Sequence, residues 1–327
     1  MRMKRARKKW QMAIAFLLLA APASIALAQE GWVATRRGLA EKDLNAVYFI
    51  DSKRGWIAGD GGFVSRTDDG GRTWSQQPVS TDQSINDIYF RNKEDGYLLV
   101  GNRIFSTDDS GRRWREIRRF STEEFGGAVP ELYSVRFASK KNGWVVGSVS
   151  RRDLVVDSLV IHTDDGGASW QRLSAPTREE LIHIDFADDK RGWIVGASGT
   201  ILHTEDGKVW TAQRSGTTAT LYHVDFRNSR TGWAVGERGT VLRTMDGGEN
   251  WLNVSVPVQS TLLSVKFADE NRGWIVGRGG VILRSEDGGR TWVQQESKTQ
   301  QNLYALFLDK KNGWAVGGDG LVLRYER

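Results

Sequence analysis

Two carboxylates in this sequence are placed so that they could act together on a substrate. Asp185 and Asp225 occupy the same position in two neighbouring copies of a repeat, within the segments Ile-Asp-Phe and Val-Asp-Phe. A pair of facing carboxyl groups is the usual catalytic device of enzymes that hydrolyse glycosides. The alternative is a structural role, in which each carboxylate is solvated or paired with an arginine. The shared repeat position favours the structural role.

The histidines are the residues that could bind a metal, but they also follow the repeat. His183 and His223 share one position, while His162 and His203 share another that arginine fills in other copies. This alignment indicates a role in the repeat geometry rather than convergence on a zinc ion. The sequence contains no cysteine, which excludes thiolate metal sites and disulfides. We therefore expect no metal and no other cofactor.

Arginine is the residue type that most strongly indicates a binding role. A guanidinium group can hold a carboxylate through two hydrogen bonds or stack on an aromatic ring. Ten arginines lie in segments that we expect to join strands at one edge of the fold, and they are the candidate protein-binding residues: Arg36, Arg37, Arg118, Arg119, Arg151, Arg152, Arg178, Arg214, Arg238 and Arg278. The alternative is ordinary surface charge, balanced by nearby acids: Asp60, Glu123, Glu124, Asp153, Glu179 and Glu237.

Two insertions into the repeat fall at the same edge. About eight extra residues surround positions 149–159 and include Arg151 and Arg152, and the segment 118–130 is about seven residues longer than its counterparts. Insertions on one face of a repeat protein often mark its binding side. They strengthen the protein-binding interpretation of the arginines.

The elements that position these residues belong to one unit that recurs seven times. A Gly-aromatic pair marks each copy at a spacing of 40 to 49 residues: Gly55-Trp56, Gly96-Tyr97, Gly143-Trp144, Gly192-Trp193, Gly232-Trp233, Gly273-Trp274 and Gly313-Trp314. Each copy contains short apolar runs bounded by Gly, Asn or Asp, which is typical of strands. A period near 40 residues with such strands predicts an all-β, seven-bladed β-propeller with four-stranded blades.

Six of the seven units also carry a tight turn of the form Ser/Thr-x-Asp-x-Gly-x-x-Trp, known as an Asp-box. Five full copies span residues 67–74, 107–114, 163–170, 244–251 and 285–292, and residues 204–210 form a copy shortened by one residue. The hydroxyl and carboxylate can accept turn N–H groups, and the glycine can adopt a positive φ. Asp-boxes also occur in sialidases, but no tyrosine here stands apart from the repeat as a sialidase-type nucleophile.

The seventh unit lacks a fourth strand at the end of the chain. Trp32 stands where a fourth-strand tryptophan would stand relative to the following first strand. We therefore expect the N-terminal strand to complete the C-terminal blade, so that the ring closes without an open sheet edge.

The first 28 residues have the features of a cleavable signal peptide: a basic start, an apolar stretch and a small-residue end at Ala26-Leu27-Ala28. We expect residues 29–327 to form a single propeller domain outside the cytoplasm. The formal charge of +6 lies entirely in the first 28 residues. The remaining chain is close to neutral, which argues against nucleic acid as a partner.

The repeated Gly-Trp-x-Val-Gly, the following Gly-x-hydrophobic-Leu-x-Thr and the Asp-box, as in residues 232–251 and 273–292, resemble the photosystem II stability/assembly factors of cyanobacteria and chloroplasts. The resemblance covers residues 30–327. It implies a seven-bladed propeller on the lumenal or periplasmic side of the membrane, which binds the D1 precursor during early photosystem II assembly. An arginine-rich surface patch is a feature of that family.

The resemblance therefore implies a non-catalytic assembly factor without a cofactor. We expect a monomer that associates with the membrane through its partner, in the periplasm or thylakoid lumen. Many bacterial members are anchored through a cysteine, and this chain has none. Two alternatives remain open at this point: a general periplasmic propeller adaptor with another protein ligand, and a glycosidase.

Overall fold

The chain folds into seven four-stranded antiparallel sheets arranged as the blades of a β-propeller. The computed structural model describes residues 31–36 and 41–326. The predicted all-β, seven-bladed architecture is confirmed. The predicted signal peptide, residues 1–28, and Arg37 lie outside the described residues.

The strands are numbered along the chain. The first half comprises β1 (Gly31–Arg36), β2 (Leu44–Phe49), β3 (Gly55–Gly59), β4 (Phe63–Thr67), β5 (Ser75–Gln77), β6 (Asp87–Phe90), β7 (Gly96–Val100), β8 (Arg103–Thr107), β9 (Arg115–Arg119), β10 (Val129–Phe137), β11 (Gly143–Arg151), β12 (Leu154–Thr163), β13 (Gln171–Leu173) and β14 (Leu181–Phe186). The second half comprises β15 (Gly192–Gly196), β16 (Ile201–Thr204), β17 (Thr211–Gln213), β18 (Leu221–Phe226), β19 (Gly232–Gly236), β20 (Val241–Thr244), β21 (Leu252–Asn253), β22 (Leu262–Phe267), β23 (Gly273–Gly277), β24 (Ile282–Ser285), β25 (Val293–Gln295), β26 (Leu303–Leu308), β27 (Gly313–Gly317) and β28 (Leu321–Glu326).

Blades 1 to 6 each take four consecutive strands, from β2–β5 to β22–β25, and blade 7 contains β26, β27, β28 and β1. One-turn 3₁₀ segments occur between strands at Asp60–Gly62, Glu123–Phe125, Ala197–Gly199, Glu237–Gly239, Arg278–Gly280 and Gly318–Gly320. The connections from second to third strands and from fourth to first strands share one end of the blades, which we call the upper rim. The Asp-boxes lie at the opposite end, the lower rim.

The burial pattern of each strand follows from its place in the blade. Second strands are buried at every residue, as in β19, because both faces of the sheet pack against neighbouring blades. The exception is β11, whose last two residues extend beyond the blade and are not buried. The glycine that opens each second strand is required by close packing. A Cβ on Gly232 would stand 2.6 Å from the ring of Phe226 in the adjacent first strand, so a larger residue would displace that ring.

The Asp-box closes its own turn and also contacts the preceding blade. In blade 5, the Thr244 hydroxyl accepts the Gly248 N–H at 2.8 Å, and Asp246 accepts the Asn250 N–H at 3.0 Å. The indole of Trp193 in blade 4 donates to the Gly247 carbonyl of the same turn at 3.0 Å. The box is therefore a structural joint between blades.

The ring closes as the sequence predicts. β1 pairs with β28 over six residues, from Gly31 opposite Glu326 to Arg36 opposite Leu321. Trp32 is buried and packs against Tyr325, with ring centroids 5.4 Å apart. Across the described ranges, we find no helix of the length and apolar character needed to cross a bilayer.

Candidate functional site

The candidate arginines in the described ranges lie at the upper rim. Arg238 and Arg278 occupy turns between second and third strands, and Arg178 and Arg214 follow the fourth strands of blades 3 and 4. Arg152 lies in the two-residue turn between β11 and β12 with φ of 52°. The other four stand at strand ends: Arg36 on β1, Arg118 and Arg119 on β9, and Arg151 on β11.

Some of these arginines are committed to internal contacts. Arg118 pairs with Glu124 and lies 4.2 Å from the ring centroid of Phe120. Arg119 makes two hydrogen bonds of 2.9 Å to Glu116. For Arg118 and Arg119, the balanced-charge interpretation describes the observed contacts, although Glu116 was not among the acids expected to supply the balance.

A second group of arginines has no such partner. Arg151 donates to the Gly126 carbonyl at 2.9 Å, whereas five exposed arginines form no ion pair with any other described residue: Arg152, Arg178, Arg214, Arg238 and Arg278. Two neighbouring acids, Glu179 and Glu237, bind neutral groups instead. Glu237 accepts the Thr220 N–H and the Tyr222 hydroxyl. The rim from blade 3 to blade 6 therefore presents guanidinium groups available to an anionic partner.

A projecting hairpin rises from this part of the rim. β11 and β12 stay paired out to Arg151 and Leu154, and the start of β10 runs alongside, with Val129 opposite Ser150. Its apolar side chains are unusually exposed: Leu154 is 71% and Val129 55% exposed, and Val155 and Val156 are 40% exposed. Sequence reasoning found the insertion but missed these residues, although the apolar run beside Arg151 and Arg152 was visible.

The innermost strands line a central cavity of about 790 Å³. Their penultimate residues form one level around the cavity, because each stands opposite the second-strand aromatic of its own blade. Blades 7, 1 and 2 supply aromatic residues at this level and blades 3 to 6 supply charged ones: Phe307, Tyr48, Tyr89, Arg136, Asp185, Asp225 and Lys266.

The charged half of the wall contains two ion pairs. Arg136 contacts Asp87 at 3.0 Å, and Lys266 contacts Asp225 at 2.6 Å. Asp225 also accepts the Phe267 N–H at 3.0 Å. Asp185 and Asp225 do lie in neighbouring innermost strands, as predicted, but the cation paired with Asp225 is a lysine rather than an arginine. Asp87, Arg136 and Lys266 were missed. The available signal was the alignment of Arg136 and Lys266 with Asp185 and Asp225, whereas Asp87 aligns with His183 and His223.

Asp185 differs from Asp225 because no basic side chain forms an ion pair with it among the described residues. Its carboxylate accepts the Phe226 N–H at 2.7 Å. Burial raises the pKa of Asp185; the charge of Lys266 opposes this shift, and the charge of Asp225 adds to it. Two neighbouring carboxylates thus differ: Asp225, beside the cavity, forms an ion pair with lysine, whereas Asp185, in the cavity wall, forms none with a described residue.

The two first-strand histidines stack on each other across the blade boundary. The rings of His183 and His223 are 3.7 Å apart, and His183 Nε2 lies 3.0 Å from an Arg136 nitrogen. Burial, with the nearby positive charges of Arg136 and Lys266, holds the pKa of both histidines well below the usual range. They are therefore neutral at physiological pH.

The other two histidines pack on tryptophan. His162 lies opposite Trp144 and His203 opposite Trp193, at the strand position that Arg66 and Arg243 occupy in blades 1 and 5. Within the described residues, no group of three His, Asp or Glu side chains is arranged to hold a metal ion.

Comparison with known proteins gives a family match along the chain. The family model described as photosynthesis system II assembly factor YCF48 matches residues 26–118, 74–178, 173–256, 208–292 and 256–326. A curated relative, the photosystem II assembly lipoprotein Ycf48 of Synechococcus sp. (strain CC9902), is 29% identical over 108 residues. That alignment spans 32% of this chain and 28% of the relative.

Solved structures confirm the fold. A structure described as YCF48 bound to D1 peptide superposes with a TM-score of 0.73 at 22% identity, covering 90% of this chain and 97% of the other. A virginiamycin B lyase from Staphylococcus aureus, inactivated and solved with quinupristin, gives a TM-score of 0.75 at 11% identity, with coverages of 91% and 100%. An assembly factor and an enzyme share this architecture, so the fold alone does not choose between them.

Proposed function

The chain belongs to the photosynthesis system II assembly factor YCF48 family, and we propose that it is a non-catalytic assembly factor that binds a segment of the D1 protein at its upper rim. It acts early in photosystem II assembly, on the D1 precursor and its first complexes. Residues 1–28 direct export to the periplasm or thylakoid lumen. There the protein works as a monomer and reaches the membrane through its partner.

We choose the upper rim as the binding surface because of its group of arginines without acidic partners. Arg152, Arg178, Arg214, Arg238 and Arg278 are exposed on blades 3 to 6, while nearby acids bind neutral groups. A guanidinium group that is already paired must give up its partner before it binds a carboxylate, and these five need not. They favour an extended segment that carries carboxylates.

The projecting hairpin supplies the apolar part of the same surface. Leu154, Val155 and Val156 are exposed next to Arg151 and Arg152. Protein interfaces combine an apolar centre with polar groups that fix orientation. We therefore include residues 151–156 in the proposed docking surface, with Val129 on the adjacent strand.

The carboxylates of the cavity do not favour glycoside hydrolysis. Both oxygens of Asp225 are engaged, one by Lys266 and one by the Phe267 N–H. A retaining or inverting glycosidase needs one carboxylate free to donate a proton and the other free to act as nucleophile or base. The lysine contact instead keeps Asp225 charged and in place, which supports the non-catalytic proposal.

The test is a binding assay between the purified mature chain and synthetic peptides that cover the exported-side segments of D1. We expect one or more peptides to bind wild type. We expect the variant with Arg152, Arg178, Arg238 and Arg278 changed to Ala to bind at least tenfold more weakly, since several charge-assisted contacts are lost. Binding by wild type should also weaken as salt is raised, because exposed charges are screened.

A matched control removes the same charge from the lower rim. Arg112, Arg227, Arg230 and Arg290 are exposed at that end, in Asp-boxes and in the loop after β18. Their change to Ala should leave peptide binding unchanged. Equal loss in both variants would show that net charge, not the upper rim, governs binding. No D1 peptide bound by wild type would instead favour an adaptor for an unrelated protein.

A further inference from the structure

The lining of the central cavity is rich in acidic side chains, in contrast to the arginine-bearing rim above it. Its wall carries four carboxylates, Asp87, Glu180, Asp185 and Asp188, but two basic side chains, Arg136 and Lys266. Since His183 and His223 are neutral, they do not offset the difference. The cavity lining therefore contains more acidic than basic side chains, while the rim from blade 3 to blade 6 presents arginines that form no ion pair with a described residue.

Local pairing locates the excess negative charge. Asp87 is paired with Arg136, and Asp188 with Arg191 at 2.6 Å. Lys266 is paired with Asp225, which lies beside the cavity. Asp185 and Glu180 remain without an ion pair among the described residues, and both belong to blade 4. One wall of the cavity thus carries carboxylates that form no ion pair with a described basic side chain, although the charges of Lys266 and Arg136 act on Asp185.

The wall opposite blade 4 is aromatic. In a ring of seven blades, blade 4 faces the boundary between blades 7 and 1, where Phe307 and Tyr48 contact each other edge to face at 5.5 Å. Tyr89 continues this wall, 5.1 Å from Tyr48. The face of an aromatic ring attracts a cation. A cation in the cavity would meet a carboxylate on one side and aromatic rings on the other.

Two buried polar groups of the cavity wall also have unused hydrogen-bonding capacity. His223 and Ser264 line the cavity and are more than nine-tenths buried. His223 Nδ1 and Ser264 Oγ have no hydrogen-bond partner among the described residues. Buried polar atoms are nearly always partnered in folded proteins. Both residues belong to the cavity lining, so this part of the wall is polar and not fully satisfied by hydrogen bonds within the described residues.

We propose that the central cavity binds an ammonium or guanidinium group, held between the Asp185 carboxylate and the rings of Tyr48 and Phe307. The group belongs either to a free small amine or to a Lys or Arg side chain of a docked peptide. The second source is accessible because the innermost strands begin at the upper rim, where Tyr222 in the cavity wall reaches Glu237, the neighbour of Arg238. The proposal does not depend on which partner occupies the rim.

The first experiment compares four ligands of one size with the full mature chain: butylammonium, butylguanidinium, butyrate and butanol. Calorimetry or ligand-observed NMR should detect saturable binding of the two cations, with a dissociation constant on the order of 1 mM for so few atoms. Butyrate and butanol should not bind. Binding of butyrate without binding of the cations would overturn the proposal.

Two variants separate charge from shape. Asp185→Asn keeps an oxygen that accepts the Phe226 N–H and removes the negative charge, so it should weaken cation binding at least tenfold. Asp188→Asn is the matched control, because Asp188 lines the same cavity but is already paired with Arg191. Thermal unfolding of both variants checks that each is folded. If folded Asp185→Asn binds butylammonium as tightly as wild type does, the proposal is wrong.

A third variant tests the aromatic wall without changing charge. Tyr48→Leu should weaken binding of butylammonium several-fold if the ring contributes a cation–π contact. If Asp185→Asn cannot be obtained folded, an unchanged affinity in folded Tyr48→Leu would overturn the proposal by itself.

A pair of peptides distinguishes the two sources of the cation, a partner side chain and a free amine. A peptide that binds the rim through a segment containing Lys is compared with the same peptide containing norleucine. Displacement of butylammonium by the Lys peptide alone assigns the cavity to a partner side chain. Simultaneous binding of either peptide and butylammonium assigns it to a free amine. Both results support a cation site and differ in what fills it.

Discussion

Trp193 of blade 4 lies flat against Phe226 of blade 5, with ring centroids 3.5 Å apart and planes inclined by 7°. Trp251, the Asp-box tryptophan of blade 5, meets the same phenylalanine edge-on at 5.8 Å. Phe267 in blade 6 has the same pair of partners, Trp233 and Trp292. The last residue of a first strand is therefore held between two blades, and this contact is the repeated joint of the ring.

Removal of the Phe226 side chain should lower the free energy of unfolding. Phe226→Ala deletes a side chain that is 6% exposed and contacts two tryptophans, so we expect unfolding free energy to fall by about 3–5 kcal/mol. Leu252→Ala, at an exposed position of the same blade, should change it by less than about 0.5 kcal/mol. Urea denaturation of both variants measures the difference. Similar small losses would mean that blade contacts do not depend on this stack.

The joint has a different form at the boundary of blades 6 and 7, where blade 7 is completed by the N-terminal strand. Blade 7 has no Asp-box turn, since its outer strands β28 and β1 come from opposite ends of the chain. Trp274 of blade 6 therefore donates to Gln295 in its own blade and packs edge to face on Tyr325. The pairing of β1 with β28 replaces a covalent turn.

Loss of β1 should open this boundary. A chain that begins at Lys42 leaves β28 without its antiparallel partner, and an unpaired edge strand favours association with other chains. We expect self-association and a lower unfolding temperature relative to residues 29–327, measured by light scattering and calorimetry. A synthetic peptide spanning residues 29–40 should restore the monomer if strand pairing is the cause. A truncated chain that stays monomeric and equally stable would contradict this explanation.

Asp-box carboxylates should make stability depend on pH in the acid range. Hydrogen bonds from the Thr73 hydroxyl and amide hold the pKa of Asp69 at about 2, below the ordinary value of 3.8. Burial opposes the same effect at Asp109 and Asp287, where hydrogen bonds still lower the pKa to about 2. Because the folded state binds these protons less readily than the unfolded state, the stabilisation is present above about pH 4 and is lost as pH falls towards 2.

The slope of stability against pH between 4 and 2 tests this linkage. Replacement of Asp69, Asp109 and Asp287 by Asn should flatten the slope, whereas Asn at three exposed aspartates outside the boxes should not. Suitable controls are Asp82, Asp153 and Asp189. Denaturant midpoints at several pH values give the slope. Equal slopes in all three proteins would assign acid sensitivity to other groups.

Features that repeat could be predicted from the sequence, because the same packing requirement places the same residue types in each copy. Gly232 and Trp233 identify a buried second strand, since only glycine fits beside Phe226 and the indole fills the gap between blades. The position of Trp32 likewise predicted the closure of blade 7.

Features that differ between copies were harder to predict from the sequence. Arg136 and Asp87 meet although they are 49 residues apart, and their contact follows from the packing of neighbouring innermost strands rather than from any local pattern. The sequence also could not distinguish Arg118, which pairs with Glu124, from Arg238, which pairs with no described residue, because both stand beside an acid at the same rim. The two arginines differ in the direction of their side chains, which only the structure shows.

The projecting hairpin permits a test of the docking surface that leaves the arginines intact. Leu154 and Val155 are exposed, so their joint change to Ser should alter unfolding free energy by less than about 0.5 kcal/mol each. If they form the apolar centre of the interface, D1 peptide binding should weaken at least fivefold, mainly through faster dissociation. Surface plasmon resonance measures both rates.

Leu252 and Val293 provide the matched control for this prediction. They are 62% and 68% exposed, comparable to Leu154, but lie on the outer strands of blades 5 and 6, away from the upper rim. Their joint change to Ser should leave both rates unchanged. If binding falls equally in the two double variants, general surface hydrophobicity governs it. If neither variant affects binding while the arginine variant does, the peptide lies across blades 4 to 6 and does not reach the hairpin, because the remaining unpaired arginines of the rim are on those blades.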